Sequence, residues 1–408
     1  MSASKMIIAG RDLFESLYKN GSKFSYLYCG RQGRRKPMKQ FVYGFGGCSG
    51  RHLASNMLPD YFGVGSEQRR GALREMGEAE KFGGDGILRV GVVGVGVMGS
   101  NHARVLAELP GVKLVGVADP DRKRCDQVAG ALGCASFADA QALVRHGIDA
   151  VTIAAPTHLH REIAINCANR GIHVMVEKPI ASTVEESRAI VAASRRAGVT
   201  LMVGHVERFN PAVQSIKRAI KDQDILSIAI TRVGPFPPRM SNVGVVIDLA
   251  VHDIDLIRWF TDSEIVEIQP QLSSAVAERE DIALLQFRTA SGVLAHINTN
   301  WLTPFKARTV HVATRDKYLI GDLLTLQVTE CFGFQPDGSY SMRHLSVGYA
   351  EPLRSELVAF VNAIRSGETP AVTGDEAVAS LEIAIRCLDA RAVRALAPQH
   401  KAPRRVVD

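Results

Sequence analysis

Leu88-Arg89-Val90-Gly91-Val92-Val93-Gly94-Val95-Gly96-Val97-Met98-Gly99 decides the fold. A short β-rich run passes at once into a G-x-G-x-x-G loop, and Asn101 to Leu109 reads as a helix. Alone, six residues of glycine pattern say little. Between a strand and a helix they describe a dinucleotide-binding turn. Gly94 permits the tight turn, Gly96 lets a pyrophosphate approach the backbone of a loop that Val97 and Met98 complete as cofactor-binding residues, and Gly99 lets helix and strand pack closely. The helix N-terminus adds free N–H donors and the positive end of a dipole.

Working outward, Lys113 to Ala118 reads as the second strand and ends in Asp119, twenty residues after Gly99. A carboxylate there accepts from adenosine ribose hydroxyls and repels a 2′-phosphate, which favours NAD over NADP. Arg122 and Arg124 nearby keep NADP as the lesser alternative, and Asp119 could instead cap a helix. Further strands end at Pro156-Thr157-His158, at Glu177-Lys178-Pro179 and at Gly204-His205, with helical spacing in 161–170 and 185–197. Strand–helix alternation with short loops predicts a doubly wound parallel sheet, a Rossmann fold over 87–205. The polar residues gather at the carboxyl ends of strands, where such sheets bind ligands.

Oxidising a secondary alcohol needs a group to take the hydroxyl proton and a hydrogen-bonding or positive partner at the oxygen. Lys178 suits the second task and Glu177 could hold a ribose hydroxyl of the nicotinamide half. Residues 244–261 read as a nearly all-apolar helix carrying Asp248, His252 and Asp255. Asp248 and His252 are four apart and share a helical face. An imidazole beside a carboxylate can act as a base near neutral pH. His252 is therefore the candidate base, with Asp248 as its orienting partner or a substrate ligand. A satisfied core histidine and half of a metal site are the competing readings. A metal would need more ligands, His205 being the one obvious distant candidate, so none is expected.

The glycine loop, Glu177-Lys178-Pro179 and the Asp248…His252 helix, in that order over roughly 87–395, resemble the Gfo/Idh/MocA family of sugar and cyclitol oxidoreductases. The resemblance implies that lysine and histidine flank the oxidised carbon, that Asp248 contacts substrate, and that Pro156, Thr157 and His158 line the nicotinamide side. Gly204-His205-Val206-Glu207-Arg208-Phe209-Asn210-Pro211 is similar to a stretch of the UDP-N-acetylglucosamine 3-dehydrogenases. That likeness implies oxidation of the sugar 3-hydroxyl, with His205, Arg208 and Asn210 beside the substrate and an aminotransferase downstream that makes 2,3-diamino sugars for lipid A. A local Glu207–Arg208 ion pair at a hinge is the competing reading of those residues. Two other readings stand beside this one: a dehydrogenase for a cyclitol such as inositol, and a non-catalytic dinucleotide-binding regulatory protein.

From 206 to 398, β-rich runs (227–233, 283–288, 292–300, 309–313, 324–329) and two closing helices (355–365, 376–391) predict an α+β substrate domain with an open, mostly antiparallel sheet. The family likeness makes that sheet a subunit interface as well, so a homodimer or homotetramer is expected. Residues 1–86 differ: Gly-rich, basic and aromatic, without sustained periodicity, they read as a disordered or mis-started extension, and 399–408 as a loose tail. Of the net charge of +7, 1–85 contribute 14 Lys/Arg against 8 Asp/Glu. The body is therefore near neutral, and no nucleic-acid partner is expected. Seven scattered cysteines without a CxxC pair, and no long apolar run, point to a cytoplasmic protein without membrane insertion.

Overall fold

The computed structural model describes residues 86–237 and 243–392. The extension, apart from Gly86, and the C-terminal tail expected from the sequence lie outside the described residues.

Elements β1 (Leu88–Val93), α1 (Val97–Glu108), β2 (Val112–Ala118), α2 (Arg122–Leu132), β3 (Ala135–Phe137), α3 (Ala140–Arg145), β4 (Ala150–Ile153), α4 (Thr157–Ala168), β5 (His173–Glu177), α5 (Val184–Ala197) and β6 (Leu201–Gly204) alternate as expected. Their strands run parallel in the order β3-β2-β1-β4-β5-β6. The chain reverses direction across the sheet between β1 and β4, the switch point that opens a crevice beyond the strand ends. The strands are buried on both faces, which explains their near-continuous Val, Ile and Met content. Edge strand β3 escaped the sequence reading because three residues, Ala135-Ser136-Phe137, carry no periodicity.

A 3₁₀ turn, Val206–Phe209, leads into α6 (Pro211–Ala219) and the second sheet. Here β7 (Ile225–Pro235), β8 (Ile265–Ser273), β9 (Ile282–Thr289), β10 (Leu294–Asn300), β11 (Leu302–Thr314), β12 (Lys317–Asp322), β13 (Gln327–Phe332) and β14 (Ser341–Leu345) lie in the order β14-β13-β12-β11-β7-β10-β9-β8. All neighbours are antiparallel except β7 with β10. Gly292, at φ +92°, turns the β9–β10 hairpin. The segment between β7 and β8 is a π-helical turn, Val246–Ala250, continuing into α7 (Val251–Thr261), rather than the uniform helix that the sequence suggests.

The two last helices correct the simple division at residue 206. Helix α8 (Pro352–Ser366) returns to the nucleotide half, where Leu353, Leu357, Phe360, Val361 and Ile364 join the first core. Helix α9 (Gly374–Ala392) serves both: Ala377, Val378 and Leu381 pack in the first core, Ile383, Ala384 and Cys387 in the second. Val203 N–H donates to Val372 O at 3.2 Å, fastening this return to β6. Phe360 is fully buried, so Phe360→Ala should cost about 3–5 kcal/mol. Urea unfolding would read this, and the loss should appear in the transition of the nucleotide half although Phe360 lies far along the chain from it.

Candidate active site

The glycine loop has the shape a dinucleotide needs. A Cβ on Gly99 would stand 1.7 Å from Gly94 O, and one on Gly94 would meet the Ala154–Ala155 backbone at 2.7 Å. A Cβ on Gly96 would meet nothing within 4 Å, so the loop is open on the outer side. Helix α1 begins there without a side-chain cap or an acidic residue in its first turn. Its first N–H groups are thus left for an anion. Val97 and Met98 stand exposed on the loop.

Asp119, buried at the end of β2, accepts from Val95 N (2.8 Å), Asp121 N (2.8 Å) and Arg124 (2.9 Å). Burial opposes its charge, but these donors win and hold the carboxyl below its usual range. Arg124, which had kept NADP open, is spent partly on this carboxylate. Beside them lies a cavity of about 480 Å³ bounded by Gly94, Asp119, Arg124, Pro156 and Leu159. Loop, carboxylate and cavity together fit an adenine dinucleotide. Pro156 caps α4, with Thr157 and His158 following on its first turn.

Lys178 follows β5 directly, and the Lys178–Pro179 peptide is cis. Its ammonium donates to Asp248 O at 2.7 Å and lies 3.2 Å from Asp248 Oδ1. The π turn matters here. Widening the helix shifts side chains from the i, i+4 stack, so Asp248 meets Lys178 instead of orienting His252. His252 Nδ1 is buried without a hydrogen-bond partner among the described residues. Its ring meets that of His205 edge-on, centroids 6.2 Å apart. Burial, followed by the charges of Lys178 and Arg232, holds its pKa well below the ordinary 6.5. Burial and these cations therefore favour the neutral imidazole of His252 over the protonated one.

Several expectations need correction. Arg208 is 2% exposed and forms a two-pronged pair with Asp255, both contacts at 2.7 Å, plus a 2.8 Å contact to Glu376. That guanidinium is consumed inside the protein and does not stand beside a substrate phosphate. Asp255 accordingly faces Arg208. Asn210 caps α6 through Ala212 N and donates to Leu323 O, which also makes it structural. His205 is buried, its Nδ1 3.6 Å from Asp255, so it lies behind His252. Glu177 turns inward: Oε1 accepts from His102 Nε2 at 2.9 Å and Oε2 from Lys178 N at 3.2 Å, leaving it no free approach to a ribose. Glu207 pairs with Arg232 and Arg308, not with Arg208.

The sequence reading missed residues that hold this arrangement. His160 joins Ala155 O (2.8 Å) and Pro179 O (3.0 Å), tying the β4 loop to the Lys178–Pro179 turn. Arg232 grips Asp253, the neighbour of His252, at 2.7 Å. Glu280 accepts from Val246 N at the start of the π turn. Apart from Ala155, their partners lie 19 or more residues away in sequence, so spacing offered no signal. Among the described residues no group of three or more His, Cys, Asp or Glu is arranged to hold a metal ion.

Comparison with known proteins agrees with this geometry. The model of an oxidoreductase family with an NAD-binding Rossmann fold, Gfo/Idh/MocA, matches residues 88–205, and the model of its C-terminal domain matches 225–319. The chain belongs to the Gfo/Idh/MocA family. Similar family members include a UDP-N-acetylglucosamine 3-dehydrogenase of Acidithiobacillus ferrooxidans, 30% identical over 281 residues, covering 68% of this chain and 88% of the relative. A scyllo-inositol 2-dehydrogenase (NAD(+)) of Bacillus subtilis is 31% identical over 322 residues, covering 73% and 92%. The solved structure of the Acidithiobacillus enzyme superposes with a TM-score of 0.70 at 27% identity, over 74% of this chain and 96% of that one.

This Gfo/Idh/MocA member is therefore an NAD-dependent dehydrogenase acting on a CH–OH group, and the non-catalytic alternative gives way. Among the described residues, no helix is long and apolar enough to cross a membrane. The pairing of Arg208 sets an expectation. Arg208→Ala leaves Asp255 buried without its strongest partner and should cost about 3–5 kcal/mol of stability. A denaturation midpoint close to wild type, with only substrate KM raised, would return Arg208 to the substrate.

Proposed function

We propose that the enzyme oxidises the 3-hydroxyl of UDP-N-acetylglucosamine with NAD, giving the 3-keto sugar nucleotide. The reading rests on Lys178 held at the strand end by Asp248, with its charge bearing on the buried His252, in a chain resembling a UDP-N-acetylglucosamine 3-dehydrogenase in both sequence and structure. In this scheme His252 takes the hydroxyl proton through its ring. Lys178 donates a hydrogen bond to the same oxygen, and Asp248 holds the ammonium in place and reaches the sugar. The glycine loop, Gly94 to Gly99, holds the cofactor pyrophosphate, Asp119 the adenosine ribose, and Pro156, Thr157 and His158 the nicotinamide side. NAD, when bound, supplies the hydride acceptor.

A 3-keto sugar is a natural substrate for an aminotransferase, and the proposal extends to 2,3-diamino sugar synthesis for lipid A in the cytoplasm. The open face of the second sheet, with Leu284, Leu294 and Ile320 exposed, suits pairing with another copy in a homodimer or homotetramer. A cyclitol substrate is the second reading, favoured by the similarity to inositol dehydrogenases.

NADH absorbance with UDP-N-acetylglucosamine, using an aminotransferase or a ketone trap to pull the equilibrium, tests the proposal; NADH formed only with myo-inositol overturns it. Lys178→Ala should bind NAD normally and lose at least about a hundredfold in kcat. Because the pKa of His252 is lowered, its basic form persists in mild acid. The acid limb of kcat/KM should therefore fall below pH 6.5 and vanish in His252→Asn. A limb at or above 6.5 would remove His252 as the base.

A further inference from the structure

Along β7 and β11, one face of the second sheet is an apolar column that ends in arginine. Ile228 and Ile230 lead to Arg232; Val312 and Val310 lead to Arg308. Arg232 and Arg308 are direct cross-strand partners. Two like charges side by side repel, and Glu207 lies between them, its Oε1 accepting from both at 2.8 Å. The two arginines then differ. Arg232 is buried, with its nitrogens spent on Asp253 and Glu207. The Arg308 side chain is 35% exposed, and NH1 to Glu207 is its one hydrogen bond within the described residues.

The position of Arg308 is as informative as its freedom. Through Glu207 and Arg232 it connects to Asp253, the chain neighbour of the candidate base His252, and its charge is among those that lower the His252 pKa. Immediately before it, β11 slips its register against β7 between Leu302 and Ala307, interrupting the pairing of these two strands. Among the described cations here, Lys178 is held by Asp248 and Arg208 and Arg232 by buried carboxylates. Arg308 keeps most of its fork for a ligand. A guanidinium fork matches phosphate oxygens two at a time.

We infer that Arg308 is the residue that recognises the sugar-linked phosphate of the nucleotide-sugar substrate. The inference rests on the proposed function, since a cyclitol has no anion to meet it. It also assigns a selective role: the side chain that favours a phosphorylated sugar over a neutral polyol lies on β11, outside every sequence motif of the active site.

The test is calorimetric binding of UDP to the NAD-loaded enzyme, with uridine as the uncharged control. Arg308→Gln should weaken UDP binding about 10- to 100-fold, as expected for losing charge-assisted hydrogen bonds. Uridine and NAD affinities should stay at wild-type values. UDP binding equal to wild type overturns the inference and leaves the nucleotide-sugar reading intact. A wild-type enzyme that ignores UDP and reduces NAD with myo-inositol overturns both. Arg308→Gln also removes a partner of Glu207, so Arg308→Lys, which keeps a cation there, is measured alongside. With its unfolding midpoint unchanged, weakened UDP binding in Arg308→Lys supports the fork, and undiminished binding overturns it.

Discussion

Placing His252 in the interior requires a helix that carries acidic residues inward with it, and those acids must be neutralised. Asp253 and Asp255 are both fully buried on α7. Unpaired, each would carry a desolvation penalty of several kcal/mol. Arg232 from β7 and Arg208 from the 3₁₀ turn meet them with short, two-pronged contacts. These pairs pin α7 to the second sheet on one side and to the nucleotide half on the other. The position of His252 follows from both. Such pairs are poor sources of net stability, but they are sensitive to truncation, which suits groups that set register and orientation.

The π turn divides labour along this short stretch. With uniform α-helical winding, Asp248 and His252 would stack, and the carboxylate would raise the basicity of the imidazole. With the wider turn, Asp248 offers its carbonyl and carboxylate to Lys178 instead. His252 is left with an unpartnered Nδ1 among cations. The consequence is a base that stays neutral and an ammonium held at a defined place. A similar logic acts beneath the lysine, where His102 and Glu177 pair under the backbone of residue 178. Glu356 of α8 is buried nearby without a partner among the described residues, and burial and the charge of Glu177 push its carboxyl well up into the neutral form.

Much of the nucleotide half was legible in order. Strand β1 and its glycine loop fall where the sequence put them, and β2, β4, β5 and β6 begin or end within two residues of expectation. Their signals are local: apolar runs, a glycine pattern and polar residues at strand ends. In the second half the strand that becomes β10 was plain. Strands β8, β12 and β14 were not, because their alternation is interrupted by exposed apolar residues such as Val266 and Ile320.

By itself, the sequence determined the dinucleotide-binding half, the acid at the end of β2, the lysine at the end of β5 and the helix that carries His252. Each depends on interactions within a few residues or on a fixed strand–turn–helix spacing. The partner of each buried charge was decided only by the tertiary structure. Arg208 and Asn210 sit in a motif that reads as substrate-binding, yet Asp255 and Leu323 claim them from 47 and 113 residues away. Arg308 carries no motif, yet it stands opposite Arg232 and shares Glu207 with it because β11 pairs with β7. Residue type announces that a charge must be used; which groups are left over for a ligand is known only once every desolvated partner has been satisfied within the folded chain.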